Sequence, residues 1–231
     1  LFYPYYYWYN HIHKPIHPIF VVYYNNIYRL MEYEFTDVNN YSSIKLVREV
    51  NYSLEKTNIT LRDIIDLSNQ VRIIPENPGV PFIQADTFEN VITLVEHLNN
   101  GPMKPDEVTE LFDFTDRQTD YYFNAGRYLG FVEKYNDHNE GKLICLTETG
   151  KNLFKLSYKQ RQLAYIEAIL EHQIFNELFK MAVHDIGSLN REVVVNKMRK
   201  LKCCSENLLV RRASSVIHWI RWILSVPHTN A

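Results

Sequence analysis

The chain has 231 residues, 46% of them hydrophobic and 23% charged, with a formal net charge of -2; this allows one large or two small domains around a buried core and excludes a disordered chain. Three cysteines without a Cys-x-x-Cys clip exclude a disulfide framework and point to a reducing compartment, the cytoplasm. No apolar run approaches the roughly 18 to 20 residues of a membrane span, and no basic-then-apolar leader opens the chain, so no membrane partner is expected.

The charge is unevenly spread. Residues 1–85 hold 7 basic and 8 acidic side chains, residues 86–157 hold 7 and 13, and residues 158–231 hold 11 and 6. The blocks carry -1, -6 and +5, so a polyanion is attracted by the last and repelled on average by the middle one.

Leu1 to Asn10 is dominated by tyrosine and reads as cover for a sheet edge or as a stacking surface for bases. Next, His11 and His13 have a spacing compatible with two metal ligands, but no carboxylate or cysteine nearby completes a set. Ile19 to Tyr24 and Ile27 to Phe35 read as strands joined by a tight turn at Asn25-Asn26. Alternation puts Glu32 and Glu34 on one face, where they can hold a divalent cation or lie solvated beside Arg29 or Lys45. Ser43 to Leu54 reads as a third strand, and Thr60 caps a helix running to about Asn69.

Prolines at 75, 78 and 81 with Gly79 forbid a continuous helix and mark 72–84 as a linker after a strand-rich part, 1–71. Thr87 to Leu98 is an amphipathic helix. Lys104-Pro105-Asp106-Glu107 opens a second, ending at Asp113-Phe114-Thr115, and Thr115 caps a third that reaches Leu129 before Gly130. Strands at 131–135 and 142–147 around a polar turn complete a winged-helix pattern over 85–157. On that pattern the third helix enters a major groove, with Arg117, Gln118, Tyr122 and Asn124 facing outward and Arg127 and Lys142 placed for phosphates. The alternative is that its aromatic residues only pack a core and the module docks protein.

Thr147 to Leu156 starts a short helix, and Arg161 to about His184 reads as one long apolar spine. Asn190 to Leu201 and a last helix from Glu206 to Leu224, capped by Ser205, repeat the earlier helix-turn-helix shape within 158–231, now with basic character. Arg211 and Arg212 are its phosphate contacts, with Arg221 further along; pairing with Glu206 or Glu192 is the alternative for the first two.

Together the runs Asp116 to Tyr122, Ala125 to Gly130, Leu146 to Gly150, Arg211 to Ser215 and Trp219 to Leu224 resemble the C-terminal helical module of bacterial type II restriction endonuclease-like proteins. The similarity covers about residues 85–224, and Pro18 to Leu54 looks like the closing strands of the preceding region. The resemblance implies recognition of duplex DNA, with Mg²⁺-dependent cleavage performed by a nuclease core. No Asp…Asp/Glu-x-Lys set is evident, since Glu140-Gly141-Lys142 falls in the wing turn, so the catalytic and metal residues stay unassigned. The chain begins at Leu1, and a core encoded before it stays open.

The sequence therefore predicts an α+β protein: a small strand-rich N-terminal part, then a mainly helical region of tandem winged-helix or helix-turn-helix units. The expected function is recognition of double-stranded DNA within a type II restriction system, with a homo-oligomer left open. A DNA-binding regulator without nuclease activity and a protein-interaction module are the alternatives.

Overall fold

The computed structural model describes residues 1–24, 27–52, 58–76 and 79–229, so the Asn25-Asn26 turn, Leu54 and Pro78 lie outside the described residues. The chain is mixed α+β and divides into two compact units, Leu1–Thr57 and Asn58–Ala231. No helix among the described residues is long and apolar enough to cross a membrane.

In the first unit the tyrosine-rich run is a helix, α1 (Phe2–His11), followed by an antiparallel sheet of β1 (Ile19–Tyr24), β2 (Ile27–Phe35) and β3 (Ile44–Tyr52) in that order. Phe2 and Tyr5 of α1 pack against Phe35, with ring centroids 5.3 and 4.8 Å apart. The helix undoes the expected alternation of His11 and His13: the His11 ring stacks on Tyr7, one turn back. A register shift between Glu32 and Tyr33 breaks the alternation that would align Glu32 with Glu34. Glu32 meets His17 at 2.9 Å and Arg48 at 3.4 Å, while Glu34 lies opposite Lys45.

The second unit begins with α2 (Leu61–Gln70), whose capping box is reciprocal: the Thr60 side chain accepts from the Asp63 amide and Asp63 accepts from the Thr60 amide. Residues 72–84 hold no helix or strand among those described, and Ile74 makes an isolated parallel bridge to His172. Next come α3 (Phe88–Leu98), α4 (Pro105–Phe112) and α5 (Asp116–Tyr128), then the hairpin of β4 (Val132–Asp137) and β5 (Gly141–Leu146). Met103, between α3 and α4, bridges Ile144 of β5 and adds the edge that ties the hairpin to the helices. Helix, short strand, two helices and a two-stranded wing is the winged-helix order.

The short α6 (Glu148–Leu153) leads to α7 (Tyr158–Leu170) and α8 (Gln173–His184), so the expected single spine is two helices. The break is imposed from outside, because nothing in Arg161 to His184 is a Gly or Pro. The Ile74 amide takes the Glu171 carbonyl at 2.9 Å, His172 becomes extended (φ -82°, ψ 126°), and Asn176 Nδ2 donates to the Leu170 and Ser68 carbonyls. A helix end is thus satisfied by partners far away in sequence. The chain closes with α9 (Arg191–Leu201), a single 3-10 turn at Glu206–Leu208, and α10 (Leu209–Thr229). Ser205 caps neither: its hydroxyl donates to Asn207 Oδ1.

One hydrophobic core runs through the second unit, from Ile59 to Val226, and residues 85–157 and 158–231 both contribute to it. Its centre is Trp219, fully buried on α10, with Phe88 edge-on at 4.9 Å and Phe175 stacked at 5.6 Å. The indole Nε1 donates to the Ala85 carbonyl at 2.7 Å, and Ser215 one turn earlier donates to Asp86 at 2.5 Å. Two side chains of α10 thereby hold the entrance to α3.

Replacing Trp219 with Phe removes this donor and strands a buried carbonyl, with an expected loss of about 1–3 kcal/mol in denaturant unfolding. Asp63→Ala is expected to lower stability by about 1 kcal/mol at neutral pH. The amide of Thr60 and the ammonium of Lys159 hold the Asp63 carboxyl below its ordinary value of 3.8. A depressed folded value means the contribution is present above 3.8 and lost as pH falls through the lower folded value, so the gap between wild type and variant closes in acid.

Candidate nucleic-acid interface

Both helix-turn-helix units turn on the same backbone device. Helix α4 ends at Asp113 (φ 53°, ψ 43°) and α9 at Lys202 (φ 53°, ψ 39°), the two non-glycine residues with positive φ among those described. In each, the next residue's amide reaches back to the last turn, Phe114 to the Thr109 carbonyl and Cys203 to that of Met198. Left-handed backbone costs a side chain about 1 kcal/mol, which the capped carbonyls and the packing beyond the turn offset.

In the first unit α5 is pinned to α4 from below. Tyr122 is 8% exposed and stacks on Phe114 at 4.7 Å, which stacks on Phe112 at 4.8 Å, while Thr109 and Thr119 share a hydroxyl hydrogen bond of 2.7 Å. Tyr122, read from the sequence as an outward contact, is therefore a core residue, and the tyrosine on the outer stripe is Tyr121. Arg117 lies over the Tyr121 ring, 5.4 Å from its centroid, and its Nε donates to the hydroxyl. That stripe continues through Asp120 and Asn124 to Arg127; Arg117 and Arg127 are exposed and Asn124 is half-buried. Asp120, which would repel a phosphate, meets Lys134 at 3.1 Å. Gln118 is exposed, but its Oε1 accepts from the Thr115 amide and hydroxyl, so its carbonyl end is committed to the capping box.

In the second unit Arg211 and Arg212 sit in the first turn of α10. The alternative partner Glu206 is taken by Arg199, with Nε and Nη2 both at 2.6 Å. Arg211 and Arg221 are exposed, and Arg212 is half-buried with its Nε enclosed and without a hydrogen-bond partner. Burial pulls the Arg212 guanidinium below the ordinary arginine value, and the neighbours acting on it are Cys204 and Tyr121, which raise it, and Arg211, which lowers it. Tyr121 therefore stands between the two units: it touches Arg117 of the first and lies within electrostatic reach of Arg212 of the second. The sequence reading placed these arginines on separate modules and did not name Tyr121 as the link.

Arg117, Arg127, Lys142, Arg211, Arg212 and Arg221 form no ion pair with a carboxylate among the described residues. Lys142 is exposed on the wing, whose turn is organised by Asp137 Oδ1 accepting from the amides of Asn139 and Glu140. Arg127 is at the far end of α5, beside His172 and Glu171 rather than with Arg117. No group of three or more His, Cys, Asp or Glu side chains is arranged to hold a metal among the described residues, so no step through Mg²⁺ is assigned to this chain.

Residues 90–228 match a family model described as a domain of unknown function (DUF7226), and residues 1–53 match a second, likewise a domain of unknown function (DUF6997). The first match spans more than half of the chain, which belongs to the DUF7226 family. No curated protein and no solved structure gives a match.

The two faces of α5 are expected to separate by mutation. Tyr122→Ala leaves a void in the aromatic stack and is expected to cost about 3–5 kcal/mol in denaturant unfolding, whereas Arg117→Ala is expected to stay within about 0.5 kcal/mol of wild type.

Proposed function

We propose that this member of the DUF7226 family binds duplex DNA through the outer stripe of α5 and the start of α10, as the recognition part of a type II restriction endonuclease-like protein. The observation that carries the reading is that Arg117 lies over the Tyr121 ring, that Tyr121 and Arg211 both act electrostatically on Arg212, and that none of these three arginines is paired with a carboxylate among the described residues. The segment holding α5 is the most acidic of the chain, so an exposed arginine there without a carboxylate partner is notable. Here Asp120 is engaged by Lys134 and Glu206 by Arg199.

On this reading Arg117 and Asn124 face base edges in the major groove, and Arg211, Arg212 and Lys142 meet phosphates. Arg221 and Arg127 extend the contact along α10 and past the end of α5. Gln118 reaches a base only if the capping box opens, and Tyr122 takes no part. The resemblance of α5 and α10 to the restriction-enzyme module supports the setting, in which Mg²⁺-dependent cleavage belongs to residues not identified in this chain. The same reading puts the protein in the cytoplasm, in keeping with three free cysteines, and leaves room for a homo-oligomer on a two-fold site.

Affinity for a duplex, measured by fluorescence anisotropy across a salt series, is expected to fall steeply with salt, each phosphate contact adding about 0.9 to the slope of log K against log salt. Arg211→Ala is expected to reduce that slope by about one contact. Binding indifferent to salt, or a slope unchanged by the substitution, overturns the proposal.

A further inference from the structure

A cavity of about 340 Å³ opens where Ile74 crosses the break between α7 and α8, and its residues are not those of the arginine cluster around Tyr121. Ile74, Val80 and Leu129 give it apolar walls; Arg127, Glu171 and His172 give it polar groups. We propose that this cavity is a binding site for a nucleotide, its heterocycle between the apolar walls with a polar edge toward His172 and Glu171, and its phosphate at Arg127.

His172 is the residue that asks for a ligand. It is 3% exposed, and its Nδ1 is enclosed without a hydrogen bond, lying 3.4 Å from Glu76 Oε1 in a geometry that does not qualify as one. Glu76 Oε1 accepts instead from the Tyr128 hydroxyl at 3.0 Å, and the Tyr128 ring stacks on the imidazole at 3.8 Å and 15°. The ring is thus fixed in orientation by Tyr128, yet no hydrogen bond of either ring nitrogen is found among the described residues. A buried polar group left in that state is destabilising, and a ligand or an ordered water would relieve it.

The other polar groups narrow the class. Arg127 is exposed, carries donors only and has no carboxylate partner among the described residues, so it matches an anion. Glu171 is half-buried, and burial together with Glu167 pushes its carboxyl above the ordinary value. A carboxyl and an imidazole side by side at the end of α7 provide donors and acceptors for the edge of a heteroaromatic ring. An aliphatic acid would satisfy Arg127 but leave His172 and Glu171 unmatched; a nucleotide satisfies all three. Pockets that enclose small ligands begin at about 300 Å³, a size this cavity reaches.

The test titrates AMP, CMP, GMP and UMP separately into the full chain, by calorimetry and by thermal shift, with Arg127→Ala and His172→Gln as variants. The expected result is saturable binding of at least one mononucleotide, weakened about tenfold or more by Arg127→Ala. His172→Gln is expected to weaken it as well; should that buried substitution fail to fold, the surface variant alone decides. A duplex carrying one unpaired nucleotide, compared with the fully paired duplex, distinguishes a nucleotide turned out of a strand from a free one: tighter binding of the first, lost in Arg127→Ala, supports the site with the strand as source. No mononucleotide binding up to about 5 mM together with equal affinity for the two duplexes overturns the proposal, as does binding that Arg127→Ala leaves unchanged. Arg127 is shared with the proposed duplex contact, whereas His172 is not, so the mononucleotide titrations, which contain no duplex, decide this site independently of the DNA reading.

Discussion

The hydrogen bond from the Trp219 indole to the Ala85 carbonyl fixes more of this structure than any other single contact. It joins the last helix to the residue just before the first helix of the winged helix, across more than half of the chain. With Phe88 and Phe175 packed on the same indole, it sets α10 against the starts of α3 and α8. The α10 part of the motif that gave the resemblance is accordingly mostly structural: Ala213, Ser215, Trp219, Ile220, Trp222 and Ile223 are buried, while Arg211 and Arg221 are exposed.

The charge pattern then follows from placement rather than from totals. The segment around α5 is acidic in sum, yet Asp120 is neutralised by Lys134, which also lies 3.9 Å from the Phe123 ring centroid, and Glu140 of the wing meets Lys104. On the other unit Arg199 takes Glu206 and Lys197 takes Glu177. Among the described residues, the arginines of α5 and of the exposed start of α10 are left without such partners. A field built this way is local and short-ranged, acting over about 8–10 Å in physiological salt.

How much of this could be read in advance depended on where the determining atoms lay. The strands β1 and β2 and the helices α2 to α5 are set by signals within a few residues: alternation, capping Thr60 and Thr115, and Pro105 in the first turn of α4. The break between α7 and α8 was invisible, because its causes are Ile74 and the Asn176–Ser68 bond, some hundred residues away. The polar run Glu171-His172-Gln173 in the spine hinted at it, and the same run holds the buried imidazole of the cavity at that break. Tyr122 was read as facing outward for a simpler reason. Neighbours on a helix are about 100° apart, and an aromatic pair gives no local clue to which one faces in; the Phe112–Phe114 stack decides it.

The most direct measurement of the central claim is an NMR titration of the arginine side-chain Nε–H signals with a duplex of random sequence at low salt. The account predicts that the signals of Arg117, Arg211 and Arg212 shift together on binding, while that of Arg199, bound to Glu206, stays in place. A titration in which Arg199 moves and those three do not, or in which none of the four responds, contradicts it.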